Sequence, residues 1–491
     1  MITLIYSPRD WFASEVVYKA LIRSFSKSQV RRVLNAEITS KKFKTPGIFV
    51  FINPKNIKLS FFPAKSKIIF FGKIDPSLAD ELEIKLSSEK FNFSEQSIIR
   101  FNPIERFYFP ISSRPLVRFD FPNEWNNLGF GRINTDDSIW AISENAISNY
   151  AVAVIENKNA YITFHDFDVK ACIWINREVG LIDSTNWYFI EYFLSEHRFS
   201  DLISVPYLLD IPSNVDVAVT MRLDCDEDIL SAKQLFHAYH DKRVPFSLAI
   251  KTSLSTTQSD KEFLHTIQKS GGAILSHSVN HKVAWGENYY DAFSEAFLSK
   301  IYLENHFEIN PLLFAVSPFH SNTAYSVKAL EDANYAGFIG GIIANDPEYL
   351  MARGGNVPFA EKIISHSQQC MLHGDCLLKE KEDPLRMYKN AFDIALESKT
   401  FFGYLDHPFS TRYQYGWETE AQRIDAHMEL IDYMRYHSDV LFVNENECLN
   451  FMIDKSNTTL TSDQNKIKKS RSQKKKSALR VGYSINGQVF G

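Results

Sequence analysis

A regular alternation of strand-like and helix-like runs between Val215 and Asn444 constrains this chain more than anything else in it. The strand-like runs are Val217–Leu223, Pro245–Ile250, Ala273–Ser278, Leu312–Pro318, Gly337–Ile342, Lys362–His366, Phe401–His407 and Val440–Asn444. Helical periodicity fills most of the gaps, over Asp260–Lys269, Tyr290–Ile309, Ala324–Ala333, Asp383–Leu396 and Thr419–Arg435. Parallel strands need long crossovers and helices supply them, so the pattern predicts a parallel sheet. About eight such units over roughly 240 residues match the size of a β/α barrel. In that architecture chemistry gathers at the carboxyl ends of the strands.

The first such end reads Thr220-Met-Arg-Leu-Asp-Cys-Asp-Glu-Asp228. Side chains alternate along a strand, so Asp224 and Asp226 point to one side and Cys225 to the other. Two carboxylates on one side suit a metal ligand beside a base. The same stretch also reads as an acidic helix start, where Asp and Glu complement the helix dipole. The third strand ends in Ser276-His-Ser-Val-Asn-His281. His277 and His281, four apart at a strand exit, can converge on one point. Two imidazoles and one carboxylate form a catalytic zinc set that leaves positions open for water and substrate. The seventh strand ends in Tyr404-Leu-Asp-His-Pro408, and His407 is the first candidate for a general acid. The fourth ends in Ser317-Pro-Phe-His320. There Pro318 shapes the turn, and the amides near Phe319 are candidates to face a developing oxyanion. His320 is either catalytic or a groove-lining residue.

These motifs resemble those of the polysaccharide deacetylases, the NodB-type carbohydrate esterases, over about residues 211–450. Arg222-Leu-Asp-Cys-Asp226 is similar to the variant of the family's first motif in which one residue separates the two acids. The second motif, HSxxH, is matched in full by His277-Ser-Val-Asn-His281, and the fifth, LxH, by Leu405-Asp-His407. The resemblance implies Asp224 as base, Asp226, His277 and His281 as ligands of a divalent metal, most simply Zn2+, and His407 as acid. It implies a NodB-type distorted (β/α) barrel over residues 211–453. The family's third motif carries an Arg two residues before the Pro, where this chain has Val316. The fourth motif is not recognisable. Arg222, Asp346 and Arg353 are candidates for the groups that orient the base and His407.

The implied activity is a metal-dependent carbohydrate N-deacetylase, an amide hydrolase acting on C–N bonds other than peptide bonds. It would remove an acyl group, most simply acetyl, from an amino sugar or glycan precursor in surface polysaccharide biosynthesis. Arg222, Pro318, Phe319, His320, Asp346, Arg353 and Trp285 are candidates for the substrate wall. The polar run from His366 to Asp375 is either part of that wall or a hydrogen-bonded loop. Trp285, Tyr413, Tyr415 and Trp417 either stack on sugar rings or pack. The alternative is a non-catalytic barrel that binds a glycan or a partner, and the absent third-motif Arg favours it.

Outside the barrel, residues 1–110 read as a small α/β domain without a GxGxxG or Walker loop. Residues 111–210 read as a β-rich domain or insert. From Lys455 onward there are nine Lys or Arg against one acid. Residues 454–491 are therefore expected to be a disordered basic tail, either solubilising or an electrostatic contact to an anionic surface. A net charge of −5 gives no nucleic-acid signature, and five cysteines with no CxxC pair fit a reducing compartment. The first ten residues lack a basic leader, and no apolar run is long enough to span a membrane, so a cytoplasmic location is expected.

Overall fold

The computed structural model describes the chain apart from residues 38–42, 89–97, 103–113, 116–141, 157, 181–183, 321, 343–353, 359, 369, 378–382, 411, 438 and 464–465. Asp346, Arg353 and much of the expected β-rich insert lie outside the described residues.

Among the described residues, the N-terminal half is built on a nine-stranded sheet. Ile2–Tyr6, Val30–Leu34, Ile48–Ile52 and Lys67–Phe71 form its parallel part. Ile48–Ile52 and Lys67–Phe71 are buried at every position, as parallel strands covered on both faces must be. The sheet then continues through Lys170–Ile175, which runs parallel to Lys67–Phe71, and through Asn159–Phe167, Ala151–Ile155 and Ile98–Phe101 in antiparallel pairing. The boundary expected at residue 110 therefore does not divide this region. The fully apolar run Ala171–Ile175 completes the ladder of Lys67–Phe71, and an unpaired edge there would leave buried backbone groups without partners.

The second sheet carries the site. Its strands Val217–Cys225, Ser247–Ile250, Ala273–Ser276, Phe314–Val316, Gly337–Ile342, Ile364–Gln368, Phe401–Asp406 and Val440–Phe442 coincide with the eight runs read from sequence. Neighbouring strands among them pair in parallel. The sheet curls, and one segment joins its two sides. Ile364–Gln368 pairs with Gly337–Ile342, and Cys370–Met371 pairs with Phe401–Asp406, Cys370 opposite Tyr404 and Met371 opposite Leu405. The result is a curled half-barrel sheet. The helices between strands bury apolar faces against it and are capped locally. Thr257 makes a capping box with Asp260 at the start of Gln258–Lys269, and Thr419 caps Glu420–Tyr436.

The C-terminal stretch is not a disordered tail. Thr458–Asp463 pairs with Lys466–Arg471, and Val481–Ile485 adds to Tyr207–Pro212. Leu460 and Val481 are buried, and Lys455 forms a buried ion pair with Asp210. The charge count hid the period-two pattern of 458–461, in which Thr458 and Leu460 are buried while Thr459 and Thr461 are not. Among the described residues, no helix is long and apolar enough to cross a membrane.

Candidate active site

The strand Val217–Cys225 places Thr220, Arg222 and Asp224 on its inward face, all buried. Arg222 donates from Nε to Asp224 Oδ1 at 2.6 Å and from Nη2 to Oδ2 at 3.1 Å. This bidentate contact fixes the carboxylate in plane and leaves one edge of it toward the barrel mouth. Burial alone would push the Asp224 carboxyl up. Arg222 and His277 outweigh that and hold it well below the usual carboxylate range. Arg222, read from sequence as a candidate wall residue, is fully buried and does not line a groove. It is the group that orients Asp224.

Two residues further on, Asp226 leaves the strand for the mouth. Its Oδ1 lies 3.6 Å from His277 Nε2 and 3.7 Å from His281 Nε2. The loop carrying the two histidines is held from beneath. The Glu295 carboxylate accepts from the amides of Val279 and Asn280 at 3.0 and 2.7 Å, and Ser278 Oγ accepts from the His281 amide at 2.9 Å. Ser278 and His281 take left-handed backbone, φ 66° and 56°, and the sharp turn brings both imidazoles to one point.

The donor set fits a divalent metal. One ligand atom from each of Asp226, His277 and His281 lies within 4.8 Å of the others. His277 Nδ1 faces the Val316 carbonyl at 3.1 Å. A carbonyl only accepts, so the proton sits on Nδ1 and Nε2 presents a lone pair to Asp226. His277 Nε2 and Asp226 Oδ1 are both buried without a hydrogen-bond partner among the described residues, which an ion between them would satisfy. Burial raises the Asp226 carboxyl to about 6 and lowers the His281 imidazole to about 3. Neutral imidazoles are the form that binds metal.

His407 closes the other side, with Nε2 3.6 Å from Asp226 Oδ2 and the Tyr415 ring stacked on it at 4.1 Å. Its Nδ1 shares a hydrogen bond of 2.8 Å with His373 Nε2. Beneath both lies Asp406, fully buried. Asp406 Oδ1 accepts from the His407 amide at 2.8 Å, and Oδ2 accepts from His427 Nε2 at 3.0 Å. Arg423 lies 3.4 Å from Asp406 Oδ2 and donates to the His407 carbonyl at 2.8 Å. Burial would raise the Asp406 carboxyl, but the His427 hydrogen bond and the Arg423 charge bring it down to about 2.

Other sequence candidates fare differently. Pro318 is buried under the turn. Phe319 is half exposed, with φ 52°, and its ring lies 4.5 Å from that of His281. It edges the mouth. The His320 amide donates to the Ser317 carbonyl at 3.2 Å, so it is spent within the turn and does not face an oxyanion. Trp285 and Trp417 are fully buried and pack in the core, with no face left for a ligand. Tyr415 lies against His407 at the mouth. His373 lies in the polar run read as wall or loop and instead contacts His407, while Asp406, Arg423 and His427 were not singled out from the sequence. A signal existed: Arg423 and His427 are four apart on a helix that follows the His407 strand, so they share its inner face.

No family model and no curated protein matches this sequence. Among solved structures, a protein from Mycobacterium smegmatis assigned as a polysaccharide deacetylase matches at 12% identity and TM-score 0.39, over 51% of this chain and 95% of that one. A family 4 carbohydrate esterase from Streptomyces lividans, solved with acetate, matches at 8% identity and TM-score 0.31, over 46% of this chain and 92% of that one. These neighbours are carbohydrate deacetylases and esterases. Agd3, described as a novel carbohydrate deacetylase, spans nearly everything: 99% of this chain and 91% of that one, at 8% identity and TM-score 0.38.

Proposed function

We propose that this protein is a metal-dependent hydrolase that removes an N-acyl group, most simply acetyl, from an amino sugar or glycan precursor. The observation that carries the proposal is the convergence of Asp226, His277 and His281 on one point, between a buried carboxylate and a buried imidazole. Asp226, His277 and His281 would hold the metal, and the zinc-type chemistry supplied there is carbonyl polarisation and a more acidic water.

The chain's own groups divide the remaining work. Asp224 is held ionised by Arg222, with Oδ2 3.9 Å from His277 Nε2, and takes the proton of the attacking water. A carboxylate so strongly paired is a weak base on its own. It therefore depends on a water made more acidic in the site. His407 Nε2 gives a proton to the nitrogen of the leaving amine as the C–N bond breaks. Phe319 and Tyr415 flank the entrance and cover the apolar faces of a bound sugar ring. A role in surface polysaccharide biosynthesis is the setting we propose for such a reaction.

The test is mass spectrometry of N-acetylated sugar precursors incubated with zinc-loaded protein. Loss of acetyl is expected with wild type and not with Asp226→Asn. Absence of turnover across amino sugars, nucleotide-linked sugars and oligosaccharides, from a protein that binds zinc stoichiometrically, would sink the proposal.

A further inference from the structure

We infer that His373 is the positioning residue for His407, supplying a neutral imidazole acceptor where a carboxylate would be the simpler choice. This rests on the role proposed above for His407.

The geometry leaves His407 one free nitrogen. Its Nδ1 is tied to His373 Nε2 at 2.8 Å, and its ring is stacked against Tyr415 at 4.1 Å with 15° between planes. Only Nε2 is turned to the site, 3.6 Å from Asp226 Oδ2. The neighbouring carboxylate does not do this job. Asp406 Oδ1 takes the His407 backbone amide and lies 3.4 Å from Trp417 Nε1, and Oδ2 is occupied by His427 and Arg423. Asp406 Oδ1 is 3.8 Å from His373 Nε2, beyond hydrogen-bond reach. Asp406 anchors the backbone of the dyad, and His373 anchors the ring.

One hydrogen bond between two imidazole nitrogens holds one proton. In its acid form His407 carries protons on both nitrogens. Its Nδ1–H then donates to a bare His373 Nε2, and the proton of His373 lies on Nδ1, where Asp375 Oδ1 is 4.0 Å away. When the C–N bond breaks, the electron pair stays on the amine nitrogen and takes the Nε2 proton. His407 becomes neutral and keeps Nδ1–H. The dyad falls from one positive charge to none, and no proton has to cross to Asp406 or to solvent.

His373 is placed by backbone, not by chance. The Leu372 amide donates to the Leu405 carbonyl at 2.7 Å, and the Gly374 amide to the Tyr415 carbonyl at 3.0 Å. A Cβ on Gly374 would lie 2.3 Å from the Gly416 carbonyl oxygen, so any other residue there would push the loop away.

The experiment uses full-length, zinc-loaded protein labelled with 15N-histidine, comparing wild type, His373→Phe and His373→Gln. The glutamine amide can reach the place of Nε2 and bond to His407, and the phenyl ring cannot. Ring 15N spectra, assigned with a His407→Gln control, should show a protected His407 Nδ1 proton in wild type and His373→Gln, lost in His373→Phe. Zinc content should be unchanged in all three. On any N-acetyl sugar turned over, kcat should fall about 10- to 100-fold in His373→Phe with KM little changed, and recover mostly in His373→Gln, as misorientation of one group predicts. A Nδ1 signal that survives in His373→Phe overturns the inference. So does a wild-type kcat in that variant, or a glutamine variant as damaged as the phenylalanine one. If wild type turns over no sugar at all, the proposed function fails and the ring spectra alone decide the role of His373.

Discussion

Arg222 grips Asp224 from two residues back on the same strand, through hydrogen bonds of 2.6 and 3.1 Å in a region closed to solvent. Removing one partner leaves the other as an uncompensated buried charge. Arg222→Met should therefore cost about 3–5 kcal/mol of stability, and adding Asp224→Asn to it should recover part of that loss. Denaturant titration of the three variants measures it. Simple addition of the two single effects would show that the pair is not a unit.

The two acids of the first motif should separate in function. Asp226→Asn replaces an anionic ligand by a neutral amide and should lower zinc content. Asp224→Asn should keep zinc and lose at least about 100-fold in rate. Cys225 is buried on the other face, so Cys225→Ser should act on stability more than on rate. Elemental analysis beside turnover reads all three, and the reverse pattern for the two aspartates would exchange their roles.

Acid should weaken the fold from pH 6.5 downward. Burial lowers His165 to about 4 and His366 to about 3, so the folded chain holds fewer protons than the unfolded chain below pH 6.5. Their contribution is complete above that value and is lost as pH falls toward 4 and then 3, at about 1.4 kcal/mol per pH unit for each. Asp226 works in the opposite direction in metal-free protein between about pH 4 and 6, because its carboxyl is raised. Urea midpoints at pH 7.5, 6 and 5 on zinc-free Asp226→Asn protein isolate the histidine effect. A flat profile would mean that water reaches these imidazoles.

Truncation at residue 455 should unfold rather than spare the protein. It removes Lys455 from buried Asp210, and Leu460 and Val481 from the core. The loss should be at least about 3 kcal/mol, from the buried ion pair broken at Asp210 and two core side chains. The melting temperature of the 1–454 protein checks this. An unchanged value would return the segment to the role of an appendage.

The barrel strands were legible because each is a short apolar run between helical stretches, and the HSxxH and LxH ends were legible because their residue types are rare outside sites. What stayed hidden was pairing between distant segments. Lys170–Ile175 reads as a strand but does not announce Lys67–Phe71 as its neighbour. Arg222 was visible as a cation two residues from an acid, yet strand alternation says only that both face inward, not that they bond. The His373–His407 contact joins residues from two strand exits, and neither exit carries a pattern that names the other. In the C-terminal stretch, nine cations outweighed the few apolar positions that fix its strands.

The segment from Ile364 to Met371 that stitches both sides of the sheet together ends two residues before His373. The seam of the sheet and the partner of His407 are thus one piece of chain. A slip of one residue along the Met371–Leu405 pairing would turn His373 away from His407 while the Asp226, His277 and His281 group stayed whole. Closing the sheet and placing the His373–His407 contact are therefore one event: the imidazole pair meets only when this stretch seats in register.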